Sequence, residues 1–155
     1  MVSDRAGSAG VFRSPGFGVL AATVMQVEAM PLRRSEDIVR MRQVVRERAV
    51  TLGFGLVDQT KIVTAASELA RNAILYGEGG DVEIAQLAAG PRKGLRLTFI
   101  DQGPGINDIQ LAMKDGFTSG SGLGLGLGGA RRLTNEFALE SSPGSGTRVT
   151  IIRWR

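Results

Sequence analysis

A carboxylate and an amide stand four residues apart in the run Glu68-Leu69-Ala70-Arg71-Asn72. On a helix, positions i and i+4 share one face, so the two side chains converge on one point. The carboxylate can take a proton from a hydroxyl or a water, and the amide oxygen suits a hard cation such as Mg2+. Taken alone, the pentapeptide reads more readily as a solvated helix face.

Three further segments carry chemistry of a compatible kind. Asp101 follows the apolar run Thr98-Phe99-Ile100 and precedes Gln102-Gly103-Pro104-Gly105. A carboxylate there can accept a hydrogen bond from an exocyclic amine such as adenine N6, while Gly103 and Gly105 let a flat base approach the backbone; an ordinary turn uses the same residues. The stretch from Gly120 through Gly122, Gly124 and Gly126 to Gly129 alternates glycine with Ser121, Leu123 and Leu125. Its amides can face phosphate oxygens, and a helix starting behind it adds positive potential. Interleaved leucines fit a closing lid better than an inert linker. Gly144-Ser145-Gly146-Thr147 opens the last strand, where the Thr147 hydroxyl can support a base or complete a hairpin turn. Gly124-x-Gly126-x-x-Gly129 matches the dinucleotide-binding spacing, but that fingerprint follows a strand within a βαβ unit, whereas here a Gly/Ser run precedes it and only 26 residues follow Gly129. No Gly-Lys-Ser/Thr phosphate loop occurs.

The elements that must position these groups follow from periodicity. Residues 24–30 alternate as a short strand. Ser35 is expected to cap a helix carrying Ile38, Met41, Val44, Val45 and Leu52 and ending at Gly53. A second helix is expected over 57–76, stopped by Gly77-Glu78-Gly79-Gly80. Strands follow at 81–88 and 95–100 around a Gly90–Gly94 connection, then a third helix over 129–137 with Arg131 and Arg132 in its first turn. Strands at 137–141 and 147–154 close the chain. In that first turn a cation is disfavoured unless an anion lies close, so these arginines either meet phosphate or point to solvent. Arg40, Arg42, Arg46 and Arg48 on the first helix either dock an acidic partner or stay solvated. The pattern predicts an α+β two-layer sandwich, a mixed and mostly antiparallel sheet with helices on one face.

The chain has 155 residues, enough for one domain with its own core. With no cysteine and no histidine, cysteine nucleophiles, disulfides, imidazole acid/base chemistry and His/Cys zinc sites are excluded. A net charge of +4 is spread along the chain and aromatic residues are few, so nucleic acid is not the expected partner. No apolar stretch approaches the ~20 residues of a membrane helix, and a cytoplasmic protein is expected. Residues 1–22, rich in Gly, Ser and Ala, are expected to form a disordered extension before a single domain at 23–155.

In their order and spacing, the four segments resemble the boxes of the GHKL ATPases, the superfamily of gyrase B, histidine kinases and MutL. Glu68 to Asn72 resembles the N box, Asp101-x-Gly103-x-Gly105 the first glycine box, Gly120 to Gly126 the second, and Gly144-x-Gly146-Thr147 the last. Runs outside the boxes, including Leu52-Gly53-Phe54-Gly55, Val57-Asp58-Gln59, Asp115-Gly116-Phe117 and Arg132-Leu133, are similar to the RsbT-type serine/threonine kinases of anti-sigma-factor regulation.

That resemblance implies the GHKL (Bergerat) fold and a kinase using ATP and Mg2+. Asn72 would bind the metal and Glu68 would be general base. Asp101 would hold adenine N6 with Thr147 beside it, and Gly103 and Gly105 would shape the base pocket. Gly120, Gly122, Gly124 and Gly126 would form the phosphate lid. It also implies STAS-domain partners of a stressosome-like complex, phosphorylated on serine or threonine, and a PP2C-type phosphatase that the released kinase activates. Two rivals remain open: an anti-sigma-factor kinase of the RsbW or SpoIIAB type, and a non-catalytic ATP-binding adaptor.

Overall fold

Buried side chains recur every four residues at Asp37, Met41, Val45 and Ala49, and that stripe makes helix α1 (Ser35–Thr51) amphipathic. Its N-cap is Arg34, one residue before the expected Ser35. The reason is Asp37, whose Oδ2 reaches back to accept from the amides of Arg33 at 2.8 Å and Arg34 at 3.1 Å. An acid at the third helical position thus satisfies donors that the cap side chain leaves alone. Helix α2 (Leu56–Leu75) buries Ile62, Val63, Ala66, Leu69, Ala70 and Ala73, together with Glu68.

A computed structural model describes residues 10–114 and 126–155. Six strands, β1 (Gly10–Arg13), β2 (Thr23–Leu32), β3 (Gly80–Ala89), β4 (Arg92–Asp101), β5 (Glu136–Ser141) and β6 (Thr147–Trp154), form one sheet in the order β1-β5-β6-β4-β3-β2. Every described pairing is antiparallel, in keeping with the mostly antiparallel sheet expected. Short helices α3 (Ile109–Ala112) and α4 (Gly126–Arg132) precede β5. Helices and sheet share one core in which Leu32, Met41, Ile62, Leu69, Leu97, Phe137 and Ile151 are fully buried. Each such aliphatic side chain contributes about 1.5–3 kcal/mol relative to exposure. Arg153 on β6 donates through Nε and Nη2 to Asp58 of α2, and through Nη1 to the Leu133 carbonyl, tying helix layer to sheet. No helix among the described residues is long and apolar enough to cross a membrane.

The hairpin between β3 and β4 is tighter than expected, because Ala89 pairs with Arg92 and only Gly90 and Pro91 are left to turn. Gly90 has φ 61°, the positive value that a two-residue hairpin turn takes at its first central position. The third expected helix also shifts: α4 begins at Gly126, three residues before the expected start at 129, and ends at Arg132, so Arg131 and Arg132 lie in its last turn. There the helix dipole favours a cation, and no nearby anion is required.

Within 1–22 the structure departs further from a disordered extension, since Gly10–Arg13 pair in register with Ser141–Ala138 of β5. Phe12 meets the Phe137 ring edge-on with centroids 6.1 Å apart, and the Arg131 guanidinium sits over Phe12 at 4.8 Å. Residues 14–22 then pass from one margin of the sheet to the other, over the face opposite the helices. Phe17 packs there with Ala85, Leu87, Ile152 and Trp154. The buried Glu136 anchors this passage, accepting from the Gly18 amide at 2.8 Å and from Trp154 Nε1 at 2.6 Å.

Candidate functional site

Antiparallel register sets Asp101 of β4 opposite Thr147 of β6, and Thr147 opposite Ser141 of β5. Paired residues in a sheet point to the same face, so three polar side chains form a row at one end of the helix-covered face. Gly80 extends the row beside Asp101 and Gly10 beside Ser141.

The backbone closes around Asp101 at three glycines. A Cβ on Gly77 would collide with the Asp101 carboxyl, one on Gly103 with the Gly77 backbone, and one on Gly146, at φ 84°, with the Asp101 carbonyl. Gly77 lies just past α2, whose end is closed by the amides of Tyr76 and Gly77 donating to the Asn72 carbonyl at 2.9 and 3.1 Å. The C-terminal end of α2, which carries Asn72, is thereby docked on Asp101. Gly105, at φ 81°, lies against the Ser142 carbonyl, and the Gly144 amide donates to the Pro104 carbonyl at 2.7 Å. The turns after β4 and before β6 are therefore joined to each other.

Burial pushes the Asp101 carboxyl above its ordinary value of 3.8, against the pull of the Gly103 and Thr147 amides, and the Glu78 charge adds to the rise. The Gly103 amide reaches Asp101 Oδ1 at 2.9 Å.

Glu68 is 7% exposed, and Arg71 Nη1 donates to its Oε1 at 2.9 Å. Asn72 is half-buried one turn further along the helix. Gly126, at φ 72°, is the first described residue of α4, which lies against α2. Gly120, Gly122 and Gly124 lie outside the described residues. The structure thus brings together Asp101, Gly103, Gly105 and Thr147, with the Asn72 end of α2 beside them.

Three participants had no motif to announce them. Gly77 reads in sequence as a helix stop, and its role appears only when Asp101 is packed on it. Arg71 lies inside the Glu68–Asn72 run, where i,i+3 spacing to Glu68 was the available signal. Ser141 ends an ordinary strand, and only the register brings its hydroxyl within 2.9 Å of Thr147 Oγ1.

The site's composition fits a nucleotide. Glycines without side chains leave room for a flat base, and Asp101 offers an acceptor at the wall. Among the described residues no three or more acidic, histidine or cysteine side chains are grouped so that they could hold a metal ion. One amide oxygen, from Asn72, suits Mg2+, which takes few protein ligands and completes its shell with phosphate and water.

Comparison with known proteins agrees with this architecture. The family described as histidine kinase-, DNA gyrase B-, and HSP90-like ATPase matches residues 57–155. The serine/threonine-protein kinase RsbT of Bacillus subtilis is 52% identical over 118 residues, which is 76% of this chain and 89% of that protein. The anti-sigma F factor of a Thermoanaerobacter species is 31% identical over 128 residues, covering 79% of this chain and 89% of that one. In solved structures, the RsbU and RsbW domains of a Mycobacterium tuberculosis protein share the fold with a TM-score of 0.60 at 22% identity, over 84% of this chain. This chain spans 33% of that longer one. A six-stranded antiparallel sheet, helices on one face and a profile match across most of the chain together make it a member of the histidine kinase-, DNA gyrase B- and HSP90-like (GHKL) ATPase family.

Proposed function

We propose that the chain is an ATP-dependent serine/threonine protein kinase that works by switching partners. The observation that carries this reading is the 52% identity to a serine/threonine-protein kinase over 89% of that protein's length. Glu68 supplies the chemistry such an activity needs, a buried carboxylate held in place by Arg71.

In the proposed reaction Glu68 takes the proton of the acceptor hydroxyl as its oxygen bonds to the γ-phosphorus. The bond from that phosphorus to the β–γ bridging oxygen breaks, ADP leaves, and the product is a phosphoserine or phosphothreonine. Asp101 accepts from adenine N6, Thr147 lies beside it, and Gly103 and Gly105 keep the base wall flat. Asn72 would hold Mg2+, which would supply neutralisation of the phosphate charge. Gly120, Gly122, Gly124 and Gly126 would close over the phosphates. Little covalent chemistry is asked of the protein, so positioning and electrostatics supply most of the rate.

The acceptors proposed are STAS-domain proteins of a stressosome-like complex, with a PP2C-type phosphatase as the second partner. Incubation with Mg2+ and γ-labelled ATP alongside purified STAS proteins tests both parts. Label on a serine or threonine of the partner, absent with Glu68→Gln, supports the proposal; no transfer to any STAS protein removes it. The second reading, an anti-sigma-factor kinase, is favoured by the 31% identity to an anti-sigma F factor. Capture of a sigma factor, with no binding to a phosphatase, would select it.

A further inference from the structure

Ser141 is 4% exposed, and its hydroxyl makes three contacts: the Ile106 amide donates to Oγ at 2.8 Å, Oγ donates to the Gly146 carbonyl at 2.9 Å, and Thr147 Oγ1 lies at 2.9 Å. A serine hydroxyl has one proton and two lone pairs. The Gly146 carbonyl can only accept, so the serine proton goes there. The Ile106 N–H fills one lone pair, and the other must accept the proton of Thr147. Thr147 Oγ1 is left with its lone pairs and no proton to give. Beside it in the same row stands Asp101, whose carboxylate also only accepts.

We infer that Ser141 is a specificity-determining positioning residue: it fixes the Thr147 hydroxyl as an acceptor, so that the wall of the pocket selects a 6-aminopurine nucleotide over a 6-oxopurine one. The inference rests on the proposed adenine role of Asp101 and Thr147. An amino group at the purine 6-position brings two donors to this wall, whereas a 6-oxo group brings lone pairs against lone pairs. A free hydroxyl would turn and donate to the oxo group; Ser141 removes that option by taking the proton first. A site whose polar groups are committed in this way discriminates more strongly than one whose hydroxyl can rotate.

ATP and inosine triphosphate, which differ at the purine 6-position and in the protonation of N1, are the probes. Their dissociation constants are measured with Mg2+ for the wild type, Ser141→Ala, Thr147→Val and the double variant. The wild type should prefer ATP, and Ser141→Ala should lower that preference about tenfold, one hydrogen bond's worth, by weakening ATP and improving the inosine nucleotide. Thr147→Val, which leaves the Ser141 bonds to Ile106 and Gly146 in place, should lower it by a similar factor, and the double variant should fall no further. A folded Ser141→Ala with the wild-type preference overturns the inference. So does Thr147→Val with the full wild-type preference, even where Ser141→Ala fails to fold. A wild type that binds both nucleotides equally, or neither, defeats the adenine reading itself.

Discussion

Arg71 Nη1 stands 2.9 Å from Glu68 Oε1 across one turn of α2, with the acid 9% and the arginine 47% exposed at their side chains. The pair has a buried end and a wet end, so the guanidinium fixes the carboxylate while remaining open to incoming charge. Replacing Glu68 by Gln keeps size and a hydrogen-bonding oxygen but removes the base. Nucleotide affinity is expected to stay within a few-fold while phosphotransfer falls about 10²–10⁴-fold. Arg71→Ala should slow transfer in the wild type and change nothing further in Glu68→Gln, and additive losses measured in single-turnover assays would contradict the coupling.

Asp101 should give nucleotide binding an acid limb. Ionised, it accepts from the base with full charge; protonation turns one oxygen into a donor and weakens the other as an acceptor, and its folded value lies above 3.8 because of burial. Affinity is therefore lost as pH falls through that raised value, starting at a higher pH than an ordinary aspartate would give. Calorimetric titration across this range should show the limb in the wild type. Asp101→Asn should bind at least about tenfold more weakly, without the limb.

Gly77 has no room for a side chain, because an added Cβ would strike the Asp101 carboxyl. Gly77→Ala should displace Asp101 and lower nucleotide affinity by about tenfold or more while far-UV circular dichroism stays native. Unchanged affinity would show that the carboxyl moves aside without consequence.

Trp154 is the single tryptophan of the chain and belongs to the small cluster, on the face opposite the helices, against which Phe17 packs. Phe17→Ala uncovers that ring and should red-shift its emission, with a stability loss of about 1–2 kcal/mol for a half-buried aromatic. Emission identical to wild type would mean that residues 14–22 do not lie on the sheet in solution.

What the sequence disclosed depended on how local the cause was. Helix α2 and the strands β3 to β6 were legible to within a few residues, because their period and stop signals lie inside the segments themselves. Strand β1 was not: its four residues are too few for a period, and their partner β5 lies more than a hundred positions away. Helix α4 was placed too late because glycines oppose helix, yet Gly128 is buried inside α4 where it lies against α2, a packing gain that overrides propensity. Asp101, Gly103, Gly105 and Thr147 belonged to one place by motif order, whereas Gly77 and Ser141 emerged only from tertiary contacts.

The path taken by residues 14–22 also acts as a ruler. Strand β1 and strand β2 border the sheet on opposite sides, five strand spacings or about 24 Å apart, and an extended stretch of that length reaches roughly 30 Å. The slack is about two residues. Trimming three would pull Gly10–Arg13 away from β5, uncovering Phe12 and Phe137 together, so this loop, unlike most surface connections, has a minimum length written into the width of the sheet.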